Sequence, residues 1–114
     1  MKETPKEKNV PATSKITPLT GEELQRLFRQ LEEGWELIDE KQIVKEYRFK
    51  NFKEALAFVN DIGKIAEEEE HHPDISLSWG KVTVLLWTHK IGGLSKKDFL
   101  LAEKCDVAFT SRIK

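Results

Sequence analysis

The segment that most constrains the fold of this 114-residue chain is an amphipathic stretch that begins at Asn51 and stops before Pro73. Its apolar residues recur at the spacing of one helix face. They are Phe52, Ala55, Leu56, Val59, Ile62 and Ala66. Asn51 is a good N-cap and is followed three residues later by Glu54. The acidic residues 67–70 oppose the helix dipole, so we predict that the helix frays or ends in this run. Pro73 disfavours helix before it, which predicts a break near His72.

Two strand pairs are predicted, one on each side of this helix in the chain. Residues 35–39 and 42–49 have the pattern of two strands, which predicts a hairpin around Glu40-Lys41. Residues 75–79 alternate between apolar and polar side chains, and a turn at residues 80–81 leads into a strand over residues 82–89. That last strand is apolar on both faces, which is typical of a central or doubly covered strand.

Two further helices complete the predicted fold. The first begins at Thr20, with Glu23 as its capping-box partner, and ends at Gly34. The last begins at Ser95 with Asp98 as a similar partner, and its apolar residues follow helical spacing. Those residues are Phe99, Ala102, Cys105 and Phe109. The order helix-strand-strand-helix-strand-strand-helix predicts an α+β fold, a four-stranded antiparallel sheet with helices packed on one face.

The chain length fits one compact domain. Residues 1–18 contain three of the four prolines and show no apolar periodicity, so we predict a flexible N-terminal arm there and a compact domain over residues 19–114. Charged residues make up 34% of the chain while Asn and Gln are few. This bias is reported for heat-adapted proteins, so we expect a thermostable protein.

Charge and cysteine content exclude several classes of function. The 19 basic and 20 acidic residues give a net charge of −1, whereas binders of nucleic acid or anionic membranes are clearly basic. The longest apolar run lies within residues 82–87 and is too short to span a bilayer, and residues 1–10 lack the apolar core of a signal peptide. Cys105 is the single cysteine, so no intrachain disulfide can form. We therefore expect a cytoplasmic protein with no nucleic-acid or membrane partner.

Three histidines are the strongest candidates for a chemical site. His71 and His72 precede the first strand of the second predicted hairpin, and His89 ends its second strand. Because a hairpin brings its ends together, we expect the three imidazoles to meet, with Glu67 and Asp98 nearby. Imidazole exchanges protons near neutral pH, so the cluster predicts acid–base catalysis.

Two other interpretations of the histidines compete with catalysis. One takes them as solvated loop residues, and the other takes them as zinc ligands together with Glu67. Adjacent residues of an extended chain point in opposite directions, so His71 and His72 are poorly placed for one metal. Neither HExxH nor paired CxxC spacing occurs in the chain. Acid–base use is therefore the favoured interpretation.

Aromatic residues near the histidines are candidates for the wall of a site that takes a flat substrate. Trp87 is two residues from His89 on the same predicted strand, so the two side chains should share a face. Phe52 and Phe58 lie on the predicted central helix and are expected in the core instead.

Several short elements, at fixed spacing, together resemble a known family. They are Glu67, His71-His72-Pro73, Trp79, Thr88-His89, Gly93-Leu94-Ser95 and Asp98. This pattern resembles the pterin-4a-carbinolamine dehydratase family, and the likeness runs from about Leu19 to Phe109. It implies dehydration of 4a-hydroxytetrahydropterin to quinonoid dihydropterin, which recycles the pterin cofactor of aromatic amino-acid hydroxylases. It implies no metal and no organic cofactor.

The resemblance also implies roles for individual residues. His71 and His89 would form the acid–base pair, without a fixed donor between them, and His72 would assist substrate binding or proton transfer. Asp98 would orient a histidine. The residues expected at the substrate are Glu67, Pro73, Trp87 and Thr88. Trp87 stands where mammalian relatives carry a small hydroxyl residue, so the pterin contacts there are expected to differ.

The same resemblance implies self-association. Relatives form dimers by joining sheet edges, and often tetramers by packing helices, so a homodimer or homotetramer is expected. Some relatives also bind a transcription factor as a dimerisation partner, which makes a protein-interaction module the alternative function. A binding module has no need of the acid–base set, so that set favours the enzyme.

Overall fold

The computed structural model describes residues 17–113. The elements are α1 (Gly21–Arg29), β1 (Glu36–Ile38), β2 (Gln42–Arg48), α2 (Phe52–Glu69), β3 (Asp74–Ser78), β4 (Lys81–Leu86), a 3-10 helix (His89–Ile91) and α3 (Lys96–Ile113). This order confirms the predicted α+β fold. The predicted arm lies outside the described residues except for Thr17 and Pro18. Across the described part of the chain, no helix is long and apolar enough to cross a membrane.

The four strands form one antiparallel sheet in the order β1-β2-β4-β3. The central position predicted for β4 is confirmed, since it pairs with β2 on one side and with β3 on the other. One face of the sheet supplies the core, and the helices pack on it. The buried sheet residues on this face are Ile43, Tyr47, Val82, Val84 and Leu86. The other face of β4 carries half-buried side chains, among them Leu85.

The second helix confirms its predicted start and end. The Asn51 side chain accepts a hydrogen bond from the backbone N–H of Glu54 at 2.8 Å, which satisfies one free donor of the first turn. The helix ends at Glu69, inside the acidic run, and Glu70 adopts a left-handed conformation with φ of 54°. The His71 N–H then bonds to the carbonyl of Ala66 at 3.1 Å, which closes the helix end.

Two residues of the predicted apolar face of α2 do not reach the core. Phe52 is 45% exposed and Leu56 is 41% exposed, whereas Ala55, Phe58 and Ile62 are fully buried. The prediction that Phe58 is a core residue is confirmed, and the same prediction for Phe52 is wrong. Because the buried stripe is centred on Phe58, Phe52 and Leu56 lie one turn apart on the flank of the helix. Burial there depends on how the helix is rotated on the sheet, which periodicity alone does not define.

The start of α1 lacks the predicted capping box. Thr20 is the N-cap residue, but its hydroxyl makes no capping hydrogen bond. The Glu23 carboxylate lies 4.0 Å from the cationic groups of both Arg26 and Lys96. The carboxylate therefore lies by these two charges, and the capping contact that was expected of it is not formed.

The end of α1 also comes earlier than predicted, at Arg29 instead of Gly34. The N–H of Gln30 bonds to the carbonyl three residues before it at 3.2 Å, so the last turn tightens and α-helical bonding stops. Trp35, predicted as the first residue of a strand, is a buried core residue that precedes β1.

The turn of the second hairpin lies at Trp79 and Gly80, one residue before the predicted position. Ser78 pairs with Lys81, so two residues form the connection. A Cβ atom on Gly80 would lie 2.7 Å from the carbonyl oxygen of Phe49, so this position requires glycine. Trp79 therefore stands in the turn and is exposed.

A buried carboxylate on α3 ties that helix to the sheet. Asp106 accepts hydrogen bonds from Trp35 Nε1 at 3.0 Å, Lys45 Nζ at 2.8 Å and Tyr47 Oη at 2.7 Å. The Lys45 ammonium also lies 5.0 Å from the centre of the Tyr47 ring. Cys105, adjacent in sequence, is also buried. Ion pairing and three donors offset the cost of burying the Asp106 charge.

These buried groups predict that the protein loses stability at alkaline pH. Burial, followed by the hydrogen bond to Asp106, raises the pKa of Tyr47 above its ordinary value of 10.0. Burial raises the pKa of Cys105 from 9.0 to about 12. Both groups therefore keep their protons in the folded state at pH values where the unfolded chain releases them. The contribution of these two groups to the free energy of unfolding should stay constant up to about pH 9. It should fall as the pH rises further.

Urea midpoints measured at intervals from pH 8 to pH 11 test this expectation. Tyr47→Phe removes the phenol and should make the alkaline decline less steep. A decline of the same slope in Tyr47→Phe and wild type would contradict the assignment to Tyr47.

Candidate active site

A cavity of about 930 Å³ opens between the end of α2, the segment after β4 and the start of α3. The structure brings most of the predicted site residues to its wall. Those that line it are His71, His72, Pro73, Trp87, Thr88 and His89. Asp98, buried behind this wall, contacts His71, and Glu67, exposed at the rim, contacts His72. The three histidines, whose imidazoles were expected to meet, thus line one cavity.

His71 is anchored by the buried carboxylate of Asp98. Its Nε2 lies 2.5 Å from Asp98 Oδ1, and the His71 side chain is 12% exposed while Asp98 is fully buried. The other oxygen, Oδ2, accepts hydrogen bonds from the Thr88 hydroxyl at 2.7 Å and from the Ser95 N–H at 2.9 Å. An ionised carboxylate only accepts, so this arrangement places the imidazole proton on Nε2. The Nδ1 atom of His71 is then the one left to exchange a proton with a bound molecule.

The Thr88 hydroxyl belongs to the support of this pair. Its single hydrogen goes to Asp98, so the Ser95 hydroxyl, 2.8 Å away, donates to Thr88 Oγ1. Thr88 is held in place by backbone hydrogen bonds with Gly93, at 2.8 Å and 3.4 Å. Ser95 thus donates to Thr88, and Thr88 and His71 both donate to the Asp98 carboxylate.

Local rules of helix ends place both members of the His71–Asp98 pair. Asp98 lies in the first turn of α3, where its carboxylate meets the Ser95 N–H as the predicted capping partner. His71 follows the left-handed Glu70 that ends α2. The pair therefore joins the C-terminal end of one helix to the N-terminal end of another.

His72 and Glu67 form an exposed pair at the rim of the cavity. His72 Nε2 lies 2.6 Å from Glu67 Oε2, and both side chains are mostly exposed. Glu67 does not line the cavity itself, so its contact with the site runs through His72. Exposed pairs of this kind contribute little to folding stability.

His89 was predicted to end a strand, and this prediction is wrong. The strand β4 stops at Leu86, and His89 begins the short 3-10 helix. The backbone pairing of Thr88 with Gly93 turns the chain away from the sheet, and this ends the ladder. The predicted closeness to Trp87 is nevertheless found, because the two rings stack with centroids 4.0 Å apart and planes inclined by 32°.

Asp74 belongs to the site although it was not among the predicted residues. Asp74 lines the cavity, and its Oδ2 accepts a hydrogen bond from Trp87 Nε1 at 3.4 Å. The strand register would have indicated that Asp74 lies near Trp87, because Asp74 pairs with Leu85, two residues before Trp87. That register depends on the correct position of the hairpin turn, which was predicted one residue too late.

The residues before α1 also contribute to the cavity, although they were assigned to the arm or its boundary. Thr17 and Leu19 line the cavity. Leu19 donates its N–H to the carbonyl of Leu94 at 2.8 Å, and Pro18 packs against Gly93 so closely that a Cβ there would lie 2.8 Å away. This segment covers the loop that holds Thr88.

A zinc site would need several ligand side chains to converge on one point. Within residues 17–113, no group of three or more His, Cys, Asp or Glu side chains is arranged to hold a metal ion. The imidazoles of His71 and His72 are directed to two different carboxylates, those of Asp98 and Glu67.

Comparisons with known proteins agree on one family. Residues 17–108 match the model of the family described as pterin 4 alpha carbinolamine dehydratase. Proteins named "Putative pterin-4-alpha-carbinolamine dehydratase" are similar, one from Rubrobacter xylanophilus with 49% identity over 93% of this chain and 98% of its own length. One from Vibrio cholerae has 55% identity over 77% of this chain and 83% of its own length.

Two solved structures share the fold. A transcriptional coactivator/pterin dehydratase from Brucella melitensis aligns with a TM-score of 0.75 and 30% identity, over 81% of this chain and 98% of that one. A pterin dehydratase-like protein that is a RuBisCO assembly factor in the alpha-carboxysome aligns with a TM-score of 0.58 over 68% of this chain and 90% of that one. Its identity is 18%, so this second likeness concerns the fold alone.

Proposed function

Because this chain belongs to the pterin-4a-carbinolamine dehydratase family, we propose that it dehydrates a 4a-hydroxytetrahydropterin to the quinonoid dihydropterin. In a cell with aromatic amino-acid hydroxylases this reaction would recycle their pterin cofactor. The enzyme is a hydro-lyase in this proposal, and it works in the cytoplasm. The observation that carries the proposal is the anchored His71–Asp98 pair facing a cavity shared with His72 and His89.

The reaction needs two proton transfers and no change of oxidation state. The bond between C4a and its hydroxyl oxygen breaks, and a proton delivered to that oxygen lets it leave as water. The N5–H proton is removed, and its electron pair forms the double bond between N5 and C4a. One group must therefore donate a proton and another must accept one, and imidazoles can do both near neutral pH.

His71 and His89 are proposed as this acid–base pair. The Asp98 contact fixes the ring of His71 and leaves Nδ1 for the substrate. His89 is 61% exposed and stands by the mouth of the cavity, where it can exchange protons with solvent between turnovers. His72, paired with Glu67, is proposed to assist at the rim.

The substrate is proposed to lie flat between the histidines. Trp87 offers an aromatic face and Pro73 an apolar edge on the cavity wall. Thr88 is proposed to act mainly through Asp98, because its hydroxyl hydrogen is already used there. Glu67 is proposed to act on the substrate only indirectly, by holding His72 in place.

The direct test is the rate of dehydration of 4a-hydroxytetrahydropterin by the purified protein. We expect a rate well above the spontaneous background, and we expect it to survive treatment with EDTA because the proposed steps use imidazole groups. A rate equal to the background would overturn the enzyme proposal. Loss of activity with EDTA, and its return with zinc, would favour the metal alternative.

Self-association is proposed to use the exposed strip of α2. Phe52 and Leu56 present apolar side chains one turn apart, and apolar surface of this kind is commonly covered by a partner. A homodimer or homotetramer is expected. The relative from Brucella melitensis is named a coactivator as well as a dehydratase, so a protein-interaction role on the same strip is the second candidate function.

Sedimentation of Phe52→Lys/Leu56→Lys tests this surface. We expect a smaller assembly than in wild type, since each subunit would bring two like charges to the contact. Lys53→Glu, an exposed change one residue away, is the control and should leave the assembly size unchanged. An unchanged assembly in the double variant would contradict the assignment. Partner capture that depends on Phe52 and Leu56 but ignores loss of the histidines would support the interaction role.

A further inference from the structure

One carboxylate oxygen lies near a ring nitrogen of each of two stacked rings that line the cavity. Asp74 Oδ2 is 3.4 Å from Trp87 Nε1 and 3.9 Å from His89 Nε2. The rings of Trp87 and His89 are themselves stacked at 4.0 Å. Asp74, Trp87 and His89 therefore form one cluster, which we call the rim clamp.

The backbone explains why these three residues meet. Asp74 is the first residue of the edge strand β3 and pairs with Leu85 of β4. Trp87 follows just after β4 ends, and His89 begins the 3-10 helix. Asp74 thus stands on the strand beside Trp87, whereas His89 comes from the loop that turns back over it.

His89 depends on this cluster for its position. No hydrogen bond to an imidazole nitrogen of His89 is formed within residues 17–113, and the side chain is mostly exposed. An exposed side chain with no hydrogen bond samples several rotamers, which reduces the fraction of time it spends in a reactive geometry. The stack on Trp87 is the contact that limits this freedom, so whatever orients the indole also orients the imidazole.

We propose that Asp74 is a positioning residue for His89 and acts through the indole of Trp87. The carboxylate accepts the indole N–H and fixes the plane of the ring, and the fixed indole holds the imidazole against it. The direct distance of 3.9 Å from Asp74 to His89 is too long for a hydrogen bond, and it is an ion-pair contact only when His89 is protonated. When the imidazole is neutral, the route through Trp87 therefore carries the effect. The inference rests on the proposed dehydratase function for its catalytic consequence, while the clamp itself is a property of the structure.

The clamp can be tested without any enzyme assay. In proton NMR spectra, the ring of Trp87 should shift the imidazole protons of His89 upfield, and His89→Ala identifies these signals among the three histidines. Asp74→Ala should move them towards the positions of a free histidine. Asp74→Asn keeps an oxygen that accepts the indole N–H, so it should keep the upfield shift. Unchanged His89 signals in Asp74→Ala would overturn the proposal.

The catalytic part is tested by a double-mutant cycle. Asp74→Ala should lower kcat about 3- to 10-fold, because it removes one weak, partly exposed hydrogen bond, with a smaller change in KM. Trp87→Phe lacks the N–H, so adding Asp74→Ala to it should lower kcat no further. Asp74→Asn should restore most of kcat. Glu36→Ala, an exposed acid on the opposite edge strand, is the matched control and should leave kcat unchanged.

The outcomes separate the two proposals. Additive losses of kcat from Asp74→Ala and Trp87→Phe, or an Asp74→Asn variant as impaired as Asp74→Ala, would overturn the route through the indole. Absence of dehydration by the wild-type protein, with the NMR response to Asp74→Ala intact, would overturn the dehydratase function and leave the clamp established.

Discussion

Replacing His71 with glutamine should lower kcat for dehydration by about 10²- to 10⁴-fold while the protein stays folded, and His89→Ala should do the same. Glutamine at position 71 carries a side-chain NH₂ where the histidine has Nε2, so it can still donate to Asp98. It cannot exchange a proton with the substrate. The variant therefore removes acid–base chemistry and keeps the buried contact, whereas His71→Ala would also leave Asp98 Oδ1 without its donor.

The measurement is the initial rate of dehydration together with the thermal midpoint of each variant. His72→Gln is the matched control for position 71, because it is the neighbouring histidine with an exposed carboxylate partner. We expect a smaller loss of kcat for His72→Gln than for His71→Gln. A folded His71→Gln variant with a rate within about twofold of wild type would rule out His71 as a proton-transfer group.

The parts of the fold that were predictable are those set by local rules. The cap at Asn51 and the end of α2 in the acidic run depend on residues close in sequence, and both were predicted correctly. The end of α1 and the outward position of Phe52 depend on how the elements pack against one another. Patterns within one element do not contain that information, and both predictions were wrong.

The candidate site shows the same division. The placement of His71, His72 and His89 at one cavity follows from hairpin geometry, and the cap of α3 placed Asp98. Asp74 was missed because its position depends on the strand register, and the turn that sets this register was predicted one residue too late. The proton-transfer roles, the cytoplasmic location and the expected heat stability stay predictions.

Helix α3 contains two buried aspartates that have different structural roles. Asp98, in its first turn, faces the cavity side and supports His71. Asp106, further along, accepts from Trp35, Lys45 and Tyr47 and so joins α3 to the sheet. Neither Asp106 nor any of its three donors lines the cavity that contains the histidines. Stability and catalysis should therefore be separable by changing one aspartate or the other.

Asp106→Ala should lower the free energy of unfolding by about 3–5 kcal/mol, because it leaves the buried ammonium of Lys45 and two other donors without their acceptor. Asp106→Asn keeps one carbonyl oxygen and should recover part of this loss. Asp61→Ala is the matched control, since its ion pair with Arg112 is half-exposed and should be worth about 1 kcal/mol or less.

Urea unfolding of the three variants gives these values, and the dehydration rate per folded molecule of Asp106→Asn should stay near that of wild type. Adding Lys45→Met to Asp106→Ala should restore stability, because the unpaired charge is then removed as well. If Asp106→Ala costs no more than Asp61→Ala, the buried pair is not what holds α3 on the sheet. If the double variant is less stable than Asp106→Ala alone, then the Lys45 stem, packed over Trp35 and Tyr47, matters more than its charge.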